Sequence, residues 1–186
     1  MKGAPKLACI VKFHETGGPD VLRVEETEPG EPGAGEVLLA VDAIGVNRGE
    51  AAFRGGHYLV KPSFPARLGA EAAARIIKLG PGVEGWAVGQ AVMTLPTFPI
   101  GTYGLYASET VAPVSCLRPL PEGLEPAKSA ALWVAFLTAY GGLVEAGGLH
   151  KGEWVVVPAA SSSVGLAALQ IARDMGALPI AVTPTQ

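Results

Sequence analysis

The sequence predicts an α/β protein with a β-rich N-terminal domain: a small, partly open β-barrel, then the start of a doubly wound parallel sheet. Three observations carry this. Short apolar runs punctuated by Gly and Pro fill the first two-thirds of the 186 residues, the pattern of closely spaced antiparallel strands. From Pro126 the apolar residues change to helical spacing. From Glu153 to Pro184 the chain reads strand, small-residue turn, helix and strand. That is the opening of a dinucleotide-binding βαβ unit, whose turn presents backbone N–H groups to a pyrophosphate. The sequence stops at Gln186 with the rest of such a sheet unwritten, so a C-terminally truncated protein is expected.

Taken in order, Leu7 to Phe13 is expected as a strand, Gly17-Gly18-Pro19-Asp20 as a turn and Val21 to Glu26 as a second strand. A loop from Pro29 to Gly35 precedes a third strand, Glu36 to Ile44. Ala72 to Leu79 and Val88 to Leu95 follow as strands, separated by the turn-rich run Gly80 to Trp86. The style changes near Glu122, where the domain boundary is placed. Leu132, Phe136, Tyr140 and Leu143 then fall on one helical face, with Pro126 suited to a first turn and Gly147-Gly148 to a stop. Strand Trp154 to Val157, turn Pro158 to Ser163, helix Val164 to Gly176 and strand Leu178 to Val182 complete the chain. In that last helix Val164, Ala168, Ile171 and Met175 form one apolar stripe, with Gln170, Arg173 and Asp174 facing away. Trp133, Phe136 and Trp154 are expected as core aromatics.

Composition narrows the partners. Hydrophobic residues are 49%, charged residues 17%, and the net charge is −3, with basic residues scattered, so neither nucleic acid nor an anionic membrane is an expected partner. No run approaches the roughly 18 uninterrupted apolar residues of a membrane span, and no signal peptide opens the chain; a cytoplasmic location is expected. Cys9 and Cys116 stand in no metal-ligand spacing. A disulfide between them stays open, but two buried apolar thiols are the commoner case.

The cofactor turn departs from the glycine-rich fingerprint: Ala160 and Ser162 stand where glycines are usual, and Gly165 remains. Small side chains are the physical requirement, and Ser162 or Ser163 could donate to a phosphate oxygen. A plain strand–helix connection capped by Ser is the competing account. At the end of the second strand, Thr183-Pro184-Thr185 carries no carboxylate to repel a 2′-phosphate, which favours NADPH over NADH.

Several segments together resemble the medium-chain dehydrogenase/reductase superfamily. Ala159-Ala160-Ser161-Ser162-Ser163-Val164-Gly165 is similar to its cofactor turn. Ile44-Gly45-Val46-Asn47-Arg48, Phe53 to Tyr58, Leu68 to Ala73 and Phe136 to Tyr140 resemble its quinone oxidoreductase branch. The resemblance implies an alcohol dehydrogenase-like, GroES-like catalytic domain over residues 1–122. It implies a linking helix and the first βαβ of a truncated Rossmann domain over residues 123–186, with the active site in the cleft between them. It also implies that zinc is absent, since zinc-dependent members place Cys where Asn47 stands and His shortly before the position of Glu71.

By the same resemblance, Tyr58 would hydrogen-bond the oxygen that gains charge when hydride adds to a quinone or an α,β-unsaturated carbonyl. Asn47 would sit near the nicotinamide, and Thr138 beside its ribose. Ser161, Ser162, Ser163, Val164, Gly165, Thr183 and Thr185 would bind the rest of the cofactor. Tyr58 as an ordinary half-buried loop residue, and Thr138 bonded back to its own helical turn, remain open alternatives. Glu71, a carboxylate among small apolar residues, is expected in a structural ion pair. A 2-enoyl-thioester reductase and a non-catalytic assembly module are the alternative functions. The expected partners are a small-molecule electron acceptor and either a second copy of the chain or a protein completing the sheet. The chain alone is expected to be weakly active or inactive.

Overall fold

The computed structural model describes residues 7–183. Contacts divide the chain into two compact units, Met1–Ala131 and Leu132–Gln186. Unit 1 contains, in chain order, β1 (Ala8–Phe13), β2 (Leu22–Thr27), β3 (Glu36–Ile44), α1 (Arg48–Arg54), β4 (Ala66–Arg67) and β5 (Ala72–Leu79). These are followed by β6 (Ala91–Thr94), α2 (Ile100–Tyr103), β7 (Glu109–Pro113), β8 (Leu117–Pro119) and α3 (Pro126–Ser129). Unit 2 contains α4 (Trp133–Tyr140), a π-helical turn (Gly141–Ala146), β9 (Trp154–Val157), α5 (Ser163–Asp174) and β10 (Leu178–Ala181).

Unit 1 is built on two antiparallel sheets, β7-β3-β5-β6-β8 and β2-β1-β4. Residues Tyr106 to Ser108 join them: Val11 N donates to Tyr106 O at 2.8 Å, Ser108 N to Cys9 O at 2.8 Å, and Val41 N to Ser108 O at 2.9 Å. This is the partly open barrel that the sequence predicts. Its interior is filled by Val37, Leu39, Ile76, Val92, Leu105 and Leu117, each burial contributing about 1.5–3 kcal/mol. A second cluster forms around Phe13, Phe53 and Leu68, with the Phe13 and Phe53 rings edge to face at 5.8 Å. Strand alternation buries Ala8 and Ile10 but turns Cys9 outward. Of the two cysteines, both free, only Cys116 is buried as expected.

β3 and β5 match the expected ranges, while β6 is shorter than Val88 to Leu95. Gly89 adopts φ +89° and Gln90 N bonds back to Ala87 O at 3.1 Å, so a turn occupies the first part of that run. The helix expected from Pro126 is interrupted. Ser129 and Ala130 are buried in unit 1, α3 packs on β3 and β5, and a turn separates it from α4. That packing is why unit 1 extends to Ala131, past the expected boundary near Glu122. By length and composition alone the stretch Pro126–Ala146 suffices to cross a membrane, with 21 residues and a mean hydropathy of 1.3. Lys128, the turn at 130–132 and the π-helical turn interrupt it.

In unit 2 the expected face of α4 is rotated. Ala135 and Ala139 are buried against Ala167 and Ala168 of α5, while Tyr140 is exposed. Small side chains let the two helices approach, and bulkier neighbours are pushed to the flanks. β9 and β10 pair in parallel, Trp154 opposite Leu178 and Val156 opposite Ile180, as the βαβ pattern requires. Val155 and Val157 face the helical layer. Trp154 is 71% exposed, so of the three expected core aromatics it is a correction: alternation along the strand puts it on the opposite face.

Two substitutions test this packing. A Cβ on Gly45 would lie 2.1 Å from Ala130 O and 2.5 Å from Glu71 Cγ, contacts that backbone cannot easily yield. Gly45→Ala should lower stability by about 2–3 kcal/mol, read as a fall in the denaturant midpoint. Ala159, at the end of β9, has φ +50°, a conformation that costs a side chain about 1 kcal/mol; Ala159→Gly should therefore raise the melting temperature.

Candidate functional site

Two groups of the expected site residues occupy defined places, one in each unit. In unit 1, Asn47 precedes α1 in an extended conformation. Its backbone N–H donates to Glu50 Oε2 at 2.8 Å, the return half of a capping box. Its side-chain Nδ2 donates to Glu71 Oε1 at 3.0 Å. Glu50 also accepts from Ala70 N at 2.8 Å and from the Tyr106 hydroxyl at 2.5 Å. Both carboxylates are almost fully enclosed, Glu50 at 4% and Glu71 at 2% exposure. Glu71, expected in an ion pair, thus has the Asn47 carboxamide as a hydrogen-bond donor.

Burial pushes the Glu50 carboxyl above the ordinary glutamate value, against the pull of its hydrogen bonds from Tyr106, Asn47 and Ala70, while the Glu71 charge adds to the rise. Burial and then the Glu50 carboxylate hold the Tyr106 phenol well above the ordinary tyrosine value. Tyr106 therefore keeps its proton and is unsuited to giving it up. Tyr58 is placed differently. It is 37% exposed, its ring meets Phe53 edge to face at 6.4 Å, and a Cβ on Gly49 would lie 3.3 Å from that ring. Asn47 and Tyr58 therefore both border the first turn of α1. Among the described residues the Tyr58 hydroxyl has no hydrogen-bond partner, so its proton is available to a ligand.

In unit 2, β9 runs into the small-residue turn and then α5. Ser162 caps the helix, its Oγ accepting from Gly165 N at 3.1 Å, and its hydroxyl hydrogen stays free to donate. Gly165 admits no side chain: a Cβ would meet Ala159 O at 2.5 Å and Ala160 Cα at 2.7 Å. Thr138, Ser162, Val164 and Gly165 line one depression of about 290 Å³, with Val156, Val157 and Pro158. The Thr138 hydroxyl donates to Val134 O at 2.6 Å, the back-bonded arrangement weighed as the alternative, yet the residue still borders the depression. Ser161 and Ser163 are exposed on the turn, and Thr183 is exposed just past β10. Thr185 lies outside the described residues.

Glu50 and Tyr106 are the members of this constellation that the sequence reading did not single out. The three-residue spacing from Asn47 to Glu50, a capping-box spacing, was the signal available for the first. Nothing local marks Tyr106, which reaches the cluster across 56 residues of chain. Among the described residues no three His, Cys, Asp or Glu side chains gather as metal ligands.

The alcohol dehydrogenase GroES-like domain family matches residues 33–122. The chain is 35% identical over 177 residues to quinone oxidoreductase of Rattus norvegicus, covering 95% of this chain and 53% of that protein. The structure of human synaptic vesicle membrane protein VAT-1 homolog-like protein superposes with a TM-score of 0.88 at 27% identity, over 97% of this chain and 57% of the other. Escherichia coli quinone oxidoreductase complexed with NADPH superposes with a TM-score of 0.82 at 31% identity, over 93% and 52%. The chain thus spans about half the length of the curated relatives it matches. The barrel strands on either side of the Asn47-led helix, the βαβ turn closed at Gly165 and these similarities agree: residues 33–122 belong to the alcohol dehydrogenase GroES-like domain family, and the chain as a whole is similar to quinone oxidoreductases of the medium-chain dehydrogenase/reductase superfamily.

Proposed function

We propose that this chain is part of an NADPH-dependent oxidoreductase that reduces a quinone or an α,β-unsaturated carbonyl without zinc. The observation that carries the reading is the turn after β9. Gly165 lets α5 begin against the turn, where a Cβ would meet Ala159 O at 2.5 Å, and Ser162 offers a hydroxyl beside the α5 N-terminus. Thr138 borders the same depression. These residues fit a dinucleotide: the helix N-terminus and serine hydroxyls suit a pyrophosphate, and the apolar wall of Val156, Val157 and Val164 suits the flat face of a ring. Bound NADPH supplies hydride. The E. coli relative solved with NADPH supports that cofactor, as does the absence of a carboxylate from Val182 to Thr185.

The protein's own groups then have separable tasks. Ser161, Ser162 and Ser163 would hold phosphate oxygens, Gly165 keeps the turn close to the helix start, and Thr183 would flank the adenosine end. By the family resemblance Asn47 would serve the nicotinamide end through its carboxamide oxygen, its amide nitrogen being held by Glu71. Tyr58 donates its free hydroxyl hydrogen to the acceptor oxygen as negative charge develops there, and then supplies the proton. The scheme has no metal step, since a carboxamide stands at position 47 where zinc-dependent relatives carry a thiol. A second reading, an assembly module, is favoured by the apolar face of Trp154, Val156, Leu178 and Ile180, each at least 43% exposed. A monomer in light scattering with a cooperative melt counts against it.

Titrating the chain with NADPH and NADH, followed by nicotinamide fluorescence, should give saturable binding that favours NADPH. Gly165→Val should abolish it, and no binding near about millimolar cofactor removes the reading. In the active enzyme, Tyr58→Phe should lower kcat for quinone and enone by about 100-fold with little change in KM. Unchanged turnover of both would exclude the proton-donor role, and preference for a 2-enoyl thioester would move the substrate class.

A further inference from the structure

Glu50 takes no part in the proposed chemistry, yet it accepts hydrogen bonds from three separate segments. Its Oε2 binds the backbone N–H of Asn47 and the Tyr106 hydroxyl, and its Oε1 binds the backbone N–H of Ala70. Ala70 is joined covalently to Glu71, whose Oε1 takes the Asn47 side-chain N–H. These contacts close a ring: Asn47 backbone, Glu50 carboxylate, Ala70 backbone, Glu71 carboxylate, Asn47 carboxamide. We propose that Glu50 is a positioning residue that sets the orientation of the Asn47 carboxamide by fixing its backbone against the segment that carries Glu71.

The geometry gives the inference its content. Asn47 Nδ2 donates to Glu71 Oε1 at 3.0 Å, so Glu71 holds the amide nitrogen of Asn47 toward itself and turns the carbonyl oxygen away. That selection holds only while the Asn47 backbone and the Ala70–Glu71 backbone stay in register. Glu50 is the group that touches both, and it has almost no solvent to release it. Gly45 completes the enclosure, since its N–H donates to Glu71 O at 3.0 Å and it leaves no room for a side chain beside Glu71. Tyr106 braces the ring from the strand junction. The orientation part of the inference stands on unit 1 alone; its consequence for cofactor affinity rests on the proposed placement of Asn47 at the nicotinamide.

The sequence contains a single asparagine, so selective ¹⁵N-Asn labelling of the chain reports the Asn47 carboxamide without overlap. In the unmodified chain its two Nδ2 protons should resonate well apart, with one protected from solvent exchange. Glu50→Ala should speed that exchange at least about tenfold and draw both protons toward free-carboxamide shifts. Glu50→Gln, which keeps an acceptor on one edge only, should fall between. The same series should weaken NADPH binding by about tenfold for Glu50→Ala, with a cooperative melt retained. A folded Glu50→Ala variant with an unchanged carboxamide signal overturns the inference. Should that variant fail to fold, Tyr106→Phe removes one donor from Glu50 at nearly constant volume and should shift the signal in the same direction; no shift overturns the inference as well. If Asn47→Ala leaves NADPH affinity unchanged, the placement of Asn47 at the cofactor is wrong, while the carboxamide signal still decides the role of Glu50.

Discussion

Burying Glu50 and Glu71 sets the terms for the centre of unit 1. An enclosed carboxylate without partners is costly by several kcal/mol, so the segments around this pair have to bring donors to it. Residues 45–50 do so by leaving β3 at Gly45, presenting the Asn47 backbone to Glu50 and its side chain to Glu71, and starting α1 so that Glu50 folds back on its own helix start. The segment before β5 contributes the Ala70 N–H, and the strand junction contributes Tyr106. The close approach at Gly45 follows from the same requirement, because a methyl group there would separate β3 from Glu71 and from the buried end of α3.

Unit 2 is governed by small residues instead of charge. Ala135 and Ala139 meet Ala167 and Ala168, and Gly165 lets α5 begin almost against the end of β9. Close packing of this kind trades side-chain area for backbone proximity, and proximity is what a phosphate-binding turn needs. The glycine-rich fingerprint is one way to achieve it. Here Ala160, buried in the core of the unit, and Ser162, spent partly on capping, achieve it with side chains that also pack or hydrogen-bond. Ala159, in a left-handed conformation, carries the local strain of that turn.

The two tyrosines near α1 show how position separates groups of one chemical type. Tyr106 is committed to a buried carboxylate and holds its proton firmly. Tyr58 lies at the surface with an unengaged hydroxyl and a ring steadied by Phe53. Only the second is arranged to give a hydrogen bond to something outside the protein. One scaffold is compatible with many reactions, so groups such as these, and not the fold, set the chemistry.

What the sequence determined by itself is whatever depends on local spacing. Alternation marked β3, short apolar runs marked β1, β5 and β9, and Gly and Pro marked the turns between them. The strand–turn–helix–strand order from Trp154 made the parallel pair of β9 and β10 necessary, and the small residues around Gly165 marked the tight turn between β9 and α5. Asn47, Tyr58 and Thr138 were legible only through family resemblance, since no local rule distinguishes them. Tertiary structure decided the rest. The face of α4 that is buried depends on the alanines of α5, so the larger Tyr140 lost to Ala139. Trp154 points outward because one face of a two-stranded sheet is taken by α5. Glu50 became the centre of a hydrogen-bonded ring because Tyr106 and Ala70, distant in sequence, fold onto it. Spacing along the chain encodes which way a side chain faces within its own element, but only the packing of other elements determines whether that face meets protein or solvent.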